Sequence, residues 1–152
     1  MAAPARPAFI PSLVYKDNRA ALQWLQKAFG FEMSEVLTDS KDNIVHAEMT
    51  HEEGVVMIGT EFTSWARSPV SVGSCNTQRV HVRLRQGLDE HCARARQAGA
   101  QIVMEPATQF YGDRTYMAVD LEGHHWTFFQ HVQDVSLAEM EQATGFKFKP
   151  LT

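Results

Sequence analysis

Gly30 and Gly99, and again Gly54 and Gly123, are separated by the same distance along the chain (99 − 30 = 69; 123 − 54 = 69). Each pair holds the same place in the same order of elements, so the spacing points to an internal duplication. In the first half, residues 9–15 read as a strand. Asp17 or Asn18 is a natural N-cap for a helix over 18–29, where Ala21, Leu22, Leu25, Ala28 and Phe29 recur at helical spacing. Strands over 31–38, 44–50 and 55–60 follow, separated by the turns 39–43 and 51–54. The second half repeats this order. A strand over 79–85 is followed by a helix over 87–98 with Leu88, His91, Cys92 and Ala95 on one face, then strands over 101–105, 114–120 and 125–131. The predicted organisation is one α+β domain of two β-α-β-β-β modules, residues 8–60 and 79–132, joined by a linker over 61–78.

Residues 133–152 form a tail. Ser136 and Glu139 make a capping box, so a short helix is predicted there, followed by the aromatic residues Phe146 and Phe148. The linker carries Trp65, which is either a surface tryptophan packed on its own loop or part of a lid over a pocket.

Composition excludes several classes. The 152 residues carry 14 Lys plus Arg against 18 Asp plus Glu, a net charge of −4, with no basic stripe for nucleic acid. No apolar run approaches the ~18 residues of a membrane span, and residues 1–7 contain no leader-like apolar stretch, so a cytoplasmic protein is expected. Cys75 and Cys92 are too few for a disulfide framework. No Gly-x-Ser-x-Gly elbow and no phosphate-cradling glycine loop is present.

The segments Ala28-Phe-Gly-Phe-Glu32, His46-Ala-Glu-Met49, Arg94-Ala-Arg-Gln-Ala-Gly-Ala100, Tyr111-Gly-Asp-Arg114 and Asp120-Leu-Glu-Gly-His-His-Trp-Thr-Phe128 resemble the vicinal oxygen chelate superfamily, in its glyoxalase/bleomycin-resistance branch. The resemblance spans about residues 8–132. It implies that each module curls four strands into half of a cup with its helix on the convex side. Side-chain alternation then sorts the strands. It sends Val80, Val82 and Leu84 to the helix and His81, Arg83 and Arg85 into the cup. Val45, Ala47 and Met49 face the helix, leaving His46 and Glu48 inside, and Arg114, Tyr116 and Ala118 are also placed inward.

Metal-dependent members of the superfamily supply a His from the first strand and a Glu from the last strand of each module. Carried over, these positions fall on Ile10, His81 and residues near Met57 and Thr127, so one ligand in four survives and the usual site is expected to be lost. His46, Glu48 and His81 are the alternative set for a divalent metal; otherwise no cofactor is expected.

Two functions remain open. One is a glyoxalase-like lyase or isomerase moving a proton next to a carbonyl, with His81, His46, Glu48 and Tyr116 as acid–base groups. Arg83, Arg114, Tyr111, Met57, Trp65, His125 and Phe129 would contact its substrate, with Met33 and Met104 as further apolar lining. The other is a non-catalytic small-molecule or drug-binding protein, for which the acid–base set is dispensable. Arg114 has a structural alternative, pairing with Asp113 or Asp120. His124 reads as a solvent-exposed imidazole, and His51, His91 and His131 as turn, helix and strand-end residues. A homodimer is implied by the resemblance.

Overall fold

The computed structural model describes residues 6–151. Its first module comprises β1 (Ser12–Tyr15), α1 (Asn18–Phe29), β2 (Glu32–Thr38), β3 (Ile44–His51) and β4 (Gly54–Thr60). The second comprises β5 (Val80–Arg83), α2 (Leu88–Gln97), β6 (Gln101–Thr108), β7 (Asp113–Val119) and β8 (His125–His131). Both sheets have the same topology, β1-β4-β3-β2 and β5-β8-β7-β6, with the first strand of each module parallel to its last. This is the duplicated α+β architecture that the glycine spacing predicts. No described helix is long and apolar enough to cross a membrane.

Local signals set the helix ends. The Asp17 carboxylate accepts from the Ala20 amide at the start of α1, and Gly30 ends the helix in the left-handed conformation (φ 73°). In α2, Asp89 and Glu90 occupy the first turn and Arg94 and Arg96 the last, which complements the helix dipole at both ends. The capping box of Ser136 and Glu139 opens α3 (Leu137–Thr144), as predicted. No residue of α3 is buried, and Phe146 and Phe148 are exposed.

The modules share one core. Phe29, at the end of α1, packs against Trp126 and Phe128 of β8 with ring centroids 5.5 and 4.7 Å away. Polar ties cross the same boundary. Arg94 of α2 donates to the carbonyls of Gln26 and Lys27 at the C-terminus of α1, and the Trp24 indole donates to Ala98 O.

A second set of ties is built on the β7–β8 turn. The Asp120 carboxylate accepts from the Tyr15 hydroxyl (2.6 Å), the Trp126 indole (3.0 Å) and the backbone amides of Glu122 and His124. Glu122 accepts from the Lys16 and Asp17 amides at the start of α1 and from the Ser68 hydroxyl. His124 is buried rather than exposed, because its Nε2–H donates to Val14 O across the modules.

The linker is accordingly better anchored than its composition suggests. Pro69–Val72 forms a 3-10 turn, and Ser68 is fully buried against Glu122. The Tyr111-Gly-Asp turn is also structural. Gly112 has φ 96°, and a Cβ there would lie 1.9 Å from Gln133 O, so only glycine lets the tail cross.

Candidate functional site

The residues singled out in the sequence separate into three places. On the face of the first sheet away from α1, Glu48 is buried and accepts from Arg6 (2.7 Å), with His46 Nε2 at 3.4 Å from the same oxygen. The Arg6 hydrogen bond holds the Glu48 carboxyl below the ordinary carboxylate range, so it is an ionised, paired group. His81, Thr127 and Met117 lie in one row across the corresponding face of the second sheet, with Met104 at its far end. Desolvation, then the charge of Arg79, keeps the His81 pKa below its usual value, and Arg79 Nε donates to His81 Nε2 at 3.3 Å. Thr127 is buried with no hydrogen-bond partner for its Oγ1 among the described residues.

Tyr116 is not in this group. It pairs across the ladder with Phe128 and stacks on it at 5.0 Å, fully buried on the helix side of the sheet. Its hydroxyl donates to His91 Nδ1 (2.6 Å), while His91 Nε2–H donates to Phe29 O (2.9 Å). Burial pushes the His91 pKa down to about 4, so the ring is neutral and accepts the Tyr116 proton. Alternation within β7 therefore runs opposite to the predicted parity. Arg114 and Ala118 follow Tyr116 to the helix side, where Arg114 pairs with Asp89 of α2 rather than with Asp113 or Asp120. Asp113 binds His131 instead.

Tyr111 lies exposed against Phe110. Trp65 is 78% exposed, packs edge-to-face on Phe62, and lines a groove between the linker and β1. His125 lines a polar surface hollow with Asn76 and Arg79. Met57 and Phe129 are half-buried on the faces away from the helices, Met57 opposite Glu48 and Phe129 opposite Thr115. Met33 pairs with Met49 at the exposed edge.

The ladders show which residues stand at the family's metal positions. Met57 lies opposite Ser12, as Thr127 lies opposite His81, so Ser12 rather than Ile10 corresponds to His81. One imidazole, one thioether and two hydroxyls do not fit a hard divalent ion. The alternative set is not assembled either. His46 and Glu48 belong to one sheet and His81 to the other, and among the described residues no three His, Cys, Asp or Glu side chains form a metal-holding group.

The two modules leave a cavity of about 250 Å³ between them. Its walls are apolar: Phe9, Phe31, Val56, Val80, Val82 and Trp126. His81 and Arg83 reach it from β5, and His51, Glu52 and Glu53 from the β3–β4 turn. Arg83 is held by Glu52 and Glu53 (3.2 and 2.8 Å), and Arg85 by the same two carboxylates. The chain thus forms a half-open chamber, largely apolar in its walls with polar and charged groups around them, the form of a small-molecule site. Of the predicted site residues, this chamber gathers His81, expected as an acid–base group, and Arg83, expected to contact a substrate. It adds His51, which a reading as a turn residue passes over. The available signal was parity, since His51 continues the alternation of Ala47 and Met49 toward the core.

Comparison with known proteins agrees with this architecture. The chain is 31% identical to TioX from Micromonospora sp. ML1, whose crystal structure superposes with a TM-score of 0.65 over 81% of this chain and 97% of that one. A glyoxalase/bleomycin resistance protein/dioxygenase from Nocardioides shares the fold at 19% identity, with a TM-score of 0.61 over 88% of this chain and 89% of that one. An uncharacterized protein of Mycobacterium bovis is 28% identical over 147 residues, 94% of this chain and 95% of its own length. The family model for the Glyoxalase/Bleomycin resistance protein/Dioxygenase superfamily matches residues 9–128, and the chain belongs to that superfamily.

Proposed function

We propose that this protein binds a compact apolar small molecule in the chamber between its modules, and that binding rather than turnover is its activity. One observation carries this reading: the apolar chamber bounded by Phe31, Val80, Val82 and Trp126. Of the acid–base set, only His81 reaches it. Tyr116 is engaged with His91 on the helix side, Arg114 is paired with Asp89, and Glu48 is neutralised by Arg6. Proton transfer next to a carbonyl needs such groups within hydrogen-bond reach of one substrate atom, so a lyase or isomerase reading has less support.

A homodimer and a cytoplasmic location belong to the same proposal. The dimer is supported by apolar surface on the single chain: Met33, Val36 and Leu37 on the edge strand β2, and Phe146 and Phe148 after α3.

The test is a titration of labelled protein with naphthalene, followed by NMR. Saturable shifts are expected at the Trp126 indole and the Val80 and Val82 methyls, and Val82→Trp, which fills the chamber, should abolish them. Absence of saturable shifts at these three residues refutes the reading.

A further inference from the structure

We infer that residues 146–149 of one chain add as a strand to the open edge of β2 in a second copy, each chain giving its tail to the other. The inference rests on the proposed homodimer and adds which segments join. In Phe146-Lys-Phe-Lys149 aromatic and basic residues alternate, the period of a strand with one apolar and one charged face. The segment pairs with no strand of its own chain among the described residues, and both aromatic rings are exposed. The matching gap is at β2, which pairs only with β3 and leaves the backbone groups of its other side without a ladder. Every residue of β2 is exposed, and register shifts at either end leave Glu35–Leu37 as its regular stretch, close to the length of the alternating segment. The other long edge strand, β6, contains Pro106, which cannot donate to an added strand, while β1 and β5 have four residues each.

The two faces of β2 complement the two faces of the tail. Met33 and Val36 stand opposite Met49 and Ala47, on the side of the sheet that α1 covers, and offer exposed apolar surface to Phe146 and Phe148. Glu32 and Glu35 stand opposite Thr50 and Glu48, on the other side, and neither makes an ion pair among the described residues. The remaining charges on that side are already matched, Glu48 by Arg6 and His46, and Glu52 and Glu53 by Arg83 and Arg85. In the turn after β2, Lys41 stands with Asp39 and Asp42, and Asp42 pairs with Arg19. Lys147 and Lys149 supply the two cations that Glu32 and Glu35 lack. Within its own chain Lys147 pairs with Glu141, which also accepts from the Phe148 amide, but a largely exposed pair of this kind costs little to exchange. The root of the tail is fixed on the second module, where the Val132 and Gln133 amides donate to Gly112 O, whereas β2 belongs to the first. Beyond that root, the eight residues of α3 and residues 145–151 reach about 35 Å when extended, enough to cross to a neighbouring molecule. Reciprocal exchange closes the pair as a two-fold dimer.

Two charge-reversed proteins test this by sedimentation equilibrium in about 0.15 M salt. One carries Lys147→Glu with Lys149→Glu, the other Glu32→Lys with Glu35→Lys. The unsubstituted protein should dimerise. Each reversed protein alone should dimerise about tenfold more weakly or worse, because every tail then meets like charge on the partner's β2. An equimolar mixture of the two should regain the dimer as a heterodimer, since both tail contacts again join opposite charges. A contact within one chain would give no such rescue. Reversed proteins that dimerise as tightly as the unsubstituted one overturn the strand exchange while leaving a homodimer formed through another surface. Weakened dimers that mixing does not rescue overturn it as well. A protein that stays monomeric at millimolar concentration overturns the homodimer reading and this inference with it. If circular dichroism shows that a reversed protein does not fold, Lys147→Gln with Lys149→Gln and Glu32→Gln with Glu35→Gln take its place, and a dimer constant unchanged in both refutes the exchange.

Discussion

The strongest test of how the two modules are held together is the carboxylate of Asp120. It lies in the second module and accepts the Tyr15 hydroxyl of the first at 2.6 Å, in a site where Tyr15 is 0% and Trp126 1% exposed. Burial, reinforced by the Asp120 charge, keeps the Tyr15 phenol protonated far above neutral pH, so it remains a donor throughout the working range. Asp120→Ala strips two buried side-chain donors of their acceptor. At about 1–3 kcal/mol for each orphaned group, the cost is about 4 kcal/mol, which in a chain of this length lowers Tm by roughly 8–16 °C. Tyr15→Phe alone should cost about 1.5–3 kcal/mol, because it removes one hydrogen bond to a charged acceptor while three other donors still satisfy the carboxylate.

The decisive quantity is the coupling. In the Asp120→Ala background the Tyr15 hydroxyl is already orphaned, so Tyr15→Phe there should be neutral or stabilising. A double-mutant cycle by urea unfolding at pH 7, monitored by far-UV circular dichroism and tryptophan fluorescence, should therefore give a coupling energy of about 2 kcal/mol. Additivity within about 0.5 kcal/mol would refute the argument, since the two residues would then not be sharing a buried bond.

Three further outcomes are expected. His91 has its pKa pushed down to about 4 by burial, below the unfolded value near 6.5, so its contribution is present above pH 6.5. It should be lost as pH falls from 6.5 to 4, by about 3 kcal/mol in full, and His91→Gln should flatten that part of a urea-midpoint profile. His131, between Asp113 and Asp134, has its pKa raised by those hydrogen bonds, so an NMR titration should place it above 6.5 and Asp113→Asn should lower it. Arg114→Ala should leave naphthalene binding unchanged and shift stability by less than about 1 kcal/mol, as expected for a partly exposed ion pair with Asp89.

Most of the fold was legible because its signals are local. The α1 limits follow from Asp17, Gly30 and a stripe of five apolar residues, all of which act within one turn of the helix. Strand order was legible through the duplication and the family resemblance. The facing of side chains in β7 was not. Tyr116 alternates with Thr115 and Met117, all three plausible on either face, and what decides is the hydrogen bond from Tyr116 to His91, 25 residues earlier on another element. The same holds for Arg114, whose choice of Asp89 over its nearer neighbours Asp113 and Asp120 depends on α2 lying over β7. His124 was misjudged for a like reason. An imidazole next to a glycine turn looks solvent-exposed until Val14, 110 residues away, supplies a carbonyl for it.

The location of the chamber follows from the sharing of one core by two modules. Each helix covers the face of its own sheet, but the ends of the sheets extend past that cover. Where the β3–β4 turn of one module meets β5 of the other, Val56, Val80 and Val82 face one another across a gap that neither helix fills. Filling it with a side chain would cost the space for a ligand, and leaving it dry would cost packing contacts for every wall residue. A bound apolar molecule would restore those contacts. On the opposite faces of the sheets, replacement of the family's carboxylates by Met57 and Thr127 removes the donors for a hard metal ion while keeping the ladder that positions them. The duplicated frame is held across the inter-module boundary by contacts of Asp120, Glu122 and Arg94, none of which lines the chamber, so the packing of the modules and the lining of the chamber are set by different residues.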